Sequence, residues 1–155
     1  MFEMPSGYIL AGDEFFRNQM GSLTDAKGSE ELHRSRPTVL VVDDERRIAD
    51  TLKEILEMNG FHVVAAYDGW DALETVAHFQ PDYVLSDVLM PRMNGVELAI
   101  SLRKMFPTTR ILLFSGQAGI SEILMDGYRQ GFEFELIAKP IHPLKLIEHL
   151  KNQQS

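Results

Sequence analysis

Five short apolar runs, each followed by a stretch with helical periodicity, constrain this chain more than any other feature of its sequence. Val39-Leu40-Val41-Val42 is a continuous β-branched and aliphatic run, as expected of a strand buried on both faces rather than one with a wet side. Ile48, Leu52, Ile55 and Leu56 then recur at helical spacing and stop at Asn59-Gly60, a good C-terminal signal. Phe61 to Ala66 reads as a second strand. Asp68 is placed to cap a helix carrying Leu73, Val76 and Ala77 that stops before Pro81. The alternation continues through Tyr83–Ser86, a helix over 96–106 halted by Pro107, the run Ile111–Phe114, and a helical stripe of Ile120, Ile123, Leu124, Gly127 and Tyr128. Glu135–Ala138 is a short last strand, and Pro143 opens a final helix with Leu144, Ile147 and Leu150. Five strands alternating with five helices predict an α/β fold, a parallel sheet covered on both faces by right-handed crossovers. In such sheets ligands sit beyond the carboxyl ends of the strands.

The regular pattern starts at Pro37. Residues 1–36 lack sustained periodicity, and Gly21, Ser22, Gly28, Ser29 and Ser35 resemble linker material. This stretch is expected to be a flexible or vector-derived extension preceding a domain over 37–155. Its aromatics (Phe2, Tyr8, Phe15, Phe16) leave open a short helix around 12–20 that docks on the domain or a partner. Acidic residues outnumber basic ones 23 to 15, for a net charge of −8. A field of that sign repels phosphate backbones and anionic lipid, so neither nucleic acid nor a membrane is the expected partner. No Cys is present, which removes disulfides, thiolate nucleophiles and Cys-based zinc sites and accords with a reducing compartment. No apolar run approaches the ~20 residues that span a bilayer, and no secretory leader is evident. A cytoplasmic protein is expected.

The strand ends carry the chemistry. Asp43 and Asp44 end the first, Asp87 the third, Ser115 the fourth and Lys139 the fifth. A five-strand parallel sheet brings these ends to one rim. Two like charges 4 Å apart repel by about 4 kcal/mol at an effective dielectric of 20, so three carboxylates take up a proton or recruit a cation. All-oxygen donors without His or Cys favour Mg²⁺. A carboxylate beside Mg²⁺ and a lysine is equipped to accept a phosphoryl group, with cations and a hydroxyl on its oxygens. Asp87 is the expected acceptor, assisted by Lys139 and Ser115. Taken singly, each group has a plainer role as a helix cap, a turn residue or a surface charge. Their arrival from four separate strand ends is what favours one site.

In the order Val41-Val42-Asp43-Asp44-Glu45, Asp87 to Gly95, Phe114-Ser115-Gly116 and Lys139-Pro140, the sequence resembles the receiver domain of bacterial response regulators over about 37–151. The resemblance implies a flavodoxin-like (CheY-like) sheet of order 2-1-3-4-5. It implies that Asp87 is phosphorylated by a histidine kinase or a histidine phosphotransfer protein. It further implies that Asp43, Asp44, Asp87 and the backbone carbonyl of Leu89 hold Mg²⁺, that Lys139 binds the phosphoryl group, that the Ser115 hydroxyl swings towards it, and that Lys139-Pro140 is cis. Leu89 and Gln117 occupy positions that tune phosphoryl lifetime in that family. With no output domain after Lys151, a stand-alone regulator is expected, docking a downstream protein through its fourth helix, fifth strand and fifth helix. Such a chain is not an enzyme but an acceptor that assists its own phosphorylation and slow dephosphorylation.

Two features depart from the family pattern. Leu136 stands where many receivers carry an aromatic three residues before the lysine, and the segment 131–139 looks one residue long. Either Phe134 takes over the aromatic's part, or the switch runs through backbone shifts. A receiver fragment of a hybrid kinase or phosphorelay is the alternative. An aspartyl-phosphate phosphatase fits less well, because Leu89 stands where such enzymes place a second Asp. The five histidines show no ligand spacing. Trp70 reads as a packing residue at a helix start, and no Gly-rich nucleotide loop is present.

Overall fold

The computed structural model describes residues 36–116 and 120–153; the expected helix around 12–20 and Gln117 lie outside them. In chain order the elements are β1 (Thr38–Val42), α1 (Arg46–Met58), β2 (His62–Ala66), α2 (Gly69–Val76), β3 (Tyr83–Asp87), α3 (Gly95–Met105), β4 (Arg110–Ser115), α4 (Ser121–Arg129), β5 (Glu135–Ala138) and α5 (Pro143–Asn152). All four strand pairings are parallel, in the order β2-β1-β3-β4-β5. Among the described helices none is long and apolar enough to cross a membrane.

Alternate residues of the same strands feed two separate cores, as the period of two requires. Val39, Val41, Leu85, Leu112 and Phe114 face α1 and α5, meeting Leu52, Leu56, Leu146 and Leu150. Leu40, Val42, Val84 and Leu113 face the other way, against α2, α3 and α4. The first strand is buried on both sides, which is why it carries no polar residue between Val39 and Val42.

The helix ends follow from local chemistry. Asp68 accepts a 2.7 Å hydrogen bond from the Asp71 amide and caps α2. Asn94 and Glu97 form a reciprocal capping box that starts α3 one residue before the apolar stripe. Gly60, at φ +93°, turns the chain out of α1 where a side chain would be strained.

One expectation is corrected. Trp70 is 60% exposed rather than packed. Its neighbour Gly69 takes the inward position against Met93, and the helical step of about 100° per residue turns Trp70 towards solvent. Gly127 sits where α4 packs on α3. A Cβ there would lie 2.8 Å from Val96 Cγ1 on α3, so the glycine permits close helix–helix approach. Glycine costs a helix interior roughly 1 kcal/mol relative to alanine. Gly127→Ala should nevertheless yield no such gain in urea unfolding, because the stiff Val96 side chain must move. Gly127→Ala combined with Val96→Ala should recover stability relative to the sum of the two single changes. A full gain of about 1 kcal/mol from Gly127→Ala alone would show that packing does not set this position.

Candidate phosphoacceptor and metal site

The sheet order reverses between β1 and β3, and the crevice lies at their carboxyl ends. β1 ends at Val42, and the chain continues into Asp43, whose amide donates to the Ala66 carbonyl at 3.2 Å. The Asp43 side chain turns inward, 1% exposed, and accepts from the Glu45 amide at 2.9 Å. Asp44 remains in solvent at the crevice mouth. Asp87 closes β3, with its own backbone pinned between the Val88 amide, which donates to the Phe114 carbonyl, and Gly95. A Cβ at Gly95 would collide with the Asp87 carbonyl, so this turn tolerates only glycine.

One carboxylate oxygen each from Asp43, Asp44 and Asp87 lies within 4.8 Å of the others. Lys139 follows β5 and reaches back over the rim, its Nζ 3.4 Å from Asp43 Oδ2 and 3.3 Å from Asp87 Oδ2. The Lys139-Pro140 peptide is cis. The lysine stem passes over Gly116, where a Cβ would sit 3.0 Å from Lys139 Cβ. Gly116 thus gives the stem its path, a role that a bare Ser-Gly pair does not announce. Ser115, at the end of β4, lines the same cavity of about 1000 Å³ as Asp44, Asp87, Leu89 and Lys139. The five side chains expected at the rim are therefore gathered there, and Leu89 stands beside them.

The electrostatics match this crowding. Burial pushes the Asp43 carboxyl above the usual aspartate range, opposed by the Glu45 amide and Lys139 and reinforced by Asp87. Burial alone would lower the Lys139 ammonium, but Asp43 and Asp87 outweigh it and raise its pKa. A carboxylate whose charge is disfavoured by burial, grouped with two more, is a site to which a divalent cation adds what one ammonium does not supply. The donor set is all oxygen, as Mg²⁺ requires.

Leu136 pairs in register with Leu113, faces the α4 side and is 44% exposed. Phe134 precedes β5, stacks on Phe132 at 6.2 Å and lies beneath the Arg103 guanidinium at 5.2 Å. It is held against α3, and Leu136 occupies the strand position. Beyond the expected residues, the turn 67–69 touches both walls of the crevice: Arg46 lies 4.0 Å over the Tyr67 ring, and Arg92 pairs with Asp68 at 3.2 Å. The only sequence signal for these contacts was the Asp68 cap.

The sequence model of the response regulator receiver domain matches residues 39–151. Among solved structures, a putative response regulator from Chloroflexus aurantiacus is 32% identical, with a TM-score of 0.65, covering 76% of this chain and 97% of its own. Vibrio cholerae chemotaxis protein CheY4 is 27% identical, with a TM-score of 0.67, over 76% and 98% respectively. The signal receiver domain of a Syntrophus aciditrophicus signal transduction histidine kinase is 26% identical, with a TM-score of 0.64, over 75% and 88%.

These charge relations set the pH response of stability in EDTA. The folded-state pKa of Asp43 is raised, so the native state binds a proton more tightly than the unfolded chain, and stability falls as pH rises through that window. Asp43→Asn should therefore be more stable than the wild type at pH 7, with the advantage fading as pH drops towards 3.8. Lys139 contributes stability that is full below pH 10.5 and lost as pH rises through its raised folded value. Lys139→Met should cost roughly 1–3 kcal/mol at pH 7, because it leaves a buried carboxylate without its partner. Urea midpoints across pH check both; a less stable Asp43→Asn would contradict the charge assignment.

Proposed function

The chain belongs to the response regulator receiver family, whose members are phosphorylation-operated switches of two-component systems, and we propose that Asp87 is its phosphoacceptor. The observation that carries this reading is the grouping of Asp43, Asp44 and Asp87 within 4.8 Å, with Lys139 on two of them. Asp43, Asp44, Asp87 and the Leu89 backbone carbonyl would hold Mg²⁺, which when bound offsets negative charge on the phosphoryl oxygens. A carboxylate oxygen of Asp87 attacks the phosphorus of a phosphohistidine. The new O–P bond forms as the P–N bond breaks, and the electron pair leaves on the donor's imidazole nitrogen, which is protonated by solvent. Lys139 exchanges its contact with Asp87 for a phosphoryl oxygen, and the Ser115 hydroxyl donates to another. Asp43, fixed by the Glu45 amide, faces the acceptor from the opposite wall of the crevice and shares Lys139 with it.

The donor is a histidine kinase or a histidine phosphotransfer protein. The receiver is not an enzyme acting on an external substrate; it assists its own phosphorylation, and cytoplasmic residence belongs to the same reading. The change of partner at Lys139 shifts β5, and Leu136, Met125 and Tyr128, all exposed, supply the apolar part of the α4–β5–α5 surface that a downstream protein reads. The same chemistry would serve a receiver inside a hybrid kinase, as the Syntrophus neighbour's name describes for that protein. A phosphatase would need an acid where Leu89 stands.

Incubation with acetyl phosphate and Mg²⁺, followed by intact mass, tests the reading. The wild type should gain one phosphoryl group; Asp87→Asn and an EDTA-treated sample should gain none. Undiminished phosphorylation of Asp87→Asn would overturn the assignment.

A further inference from the structure

The turn Tyr67-Asp68-Gly69, which follows β2, offers no free carboxylate to the crevice, yet it is fastened to both sides of it. On one side, Tyr67 carries the Arg46 guanidinium 4.0 Å above its ring and donates its hydroxyl to Asp50 Oδ1 at 2.6 Å. Arg46 and Asp50 belong to the first turns of α1, immediately after Asp43 and Asp44. On the other side, Asp68 Oδ2 meets Arg92 at 3.2 Å, while Oδ1 caps α2. Gly69 receives the Met93 side chain so closely that a Cβ would stand 2.5 Å from Met93 Sδ, 2.8 Å from Cγ and 2.9 Å from Cβ.

Arg92 and Met93 lie in the loop 88–94 that begins immediately after Asp87 and includes Leu89. That loop is closed at its base by the Gly95 amide on the Val88 carbonyl, 2.8 Å. Its far arc has Arg92 at φ +68°, a conformation that a non-glycine residue holds only when its surroundings fix it.

We propose that the 67–69 turn is a positioning clamp for the divalent-ion site, setting the separation of the wall bearing Asp43 and Asp44 from the wall bearing Asp87 and Leu89. This rests on the reading of those residues as an ion site. Magnitudes decide which contact matters. The Arg92–Asp68 pair is exposed on the arginine side, and such pairs contribute little. The Met93–Gly69 contact is steric: Sδ and Cγ can swing aside, but Met93 Cβ, 2.9 Å from the added methyl, is fixed to the loop backbone, so the loop must give. Residues behind metal ligands typically change affinity by 10–100-fold when altered, so a displaced loop should be visible in ion binding rather than in folding alone.

The full chain is titrated with Mn²⁺, free ion being counted by electron spin resonance, alongside urea unfolding in EDTA. Gly69→Ala should weaken Mn²⁺ binding by about 10-fold. Adding Met93→Ala in the same chain should restore affinity to within about 3-fold of the wild type, a non-additivity expected only of residues in contact. Arg92→Ala should change affinity by less than about 2-fold. Tyr67→Phe, which keeps the ring and deletes the Asp50 bond, should weaken Mn²⁺ by a few-fold and serves if Gly69→Ala fails to fold. Wild-type affinity in both Gly69→Ala and Tyr67→Phe, or a double variant no better than Gly69→Ala, would overturn the clamp. Absence of Mn²⁺ binding in the wild type, or its persistence in Asp43→Asn combined with Asp87→Asn, would remove the ion site itself.

Discussion

Three carboxylates at one rim repel one another, and the rest of the site is arranged around that repulsion. Lys139 answers it in part, with its ammonium 3.4 Å from Asp43 and 3.3 Å from Asp87. One positive charge does not balance three negative ones, and Asp43 is buried where an unpaired charge is costly. The surplus makes the rim receptive to a divalent ion. On the proposed reading it also makes the lysine contact conditional, since a phosphorylated Asp87 would present Lys139 with a different partner.

The fold holds these groups together against their repulsion through the sheet. Asp43 follows β1 and Asp87 ends β3, neighbouring central strands whose registers are fixed by apolar residues buried on both faces. Slipping either strand by one residue would exchange its two faces and expose a core to solvent. Lys139 arrives from β5, beyond the intervening β4, and reaches the acids because its stem has the space that Gly116 leaves. The rim rests on buried β1 and β3, whereas the β5 edge is open to solvent at Glu135, Leu136 and Ala138.

Much of this was legible in the chain. Period-two and period-3.6 patterns are direct consequences of burial, so element types and the gathering of Asp43, Asp44, Asp87, Ser115 and Lys139 could be read from spacing. Strand order and the cis Lys139-Pro140 bond came only with the family resemblance, because no local rule distinguishes them. What stayed hidden depends on side chains meeting across long sequence separations. The glycines at 69, 116 and 127 look alike in sequence, yet each leaves room for a particular neighbour: Met93, Lys139 and Val96. Trp70 was misread because residue type suggests burial, whereas the direction in which a helix turns away from its first packed residue decides it. Phe134 and Leu136 could be assigned only once the start of β5 and the Arg103 contact were known.

The central claim is that the aspartate cluster is a divalent-ion site built around the acceptor. A crystal of the full chain soaked in Mn²⁺ and recorded at the manganese absorption edge tests it directly. The account expects one anomalous peak bonded to carboxylate oxygens of Asp43, Asp44 and Asp87, at a distance of about 2.2 Å typical of small divalent ions on oxygen. A peak elsewhere on the molecule, with none at this rim, would contradict it.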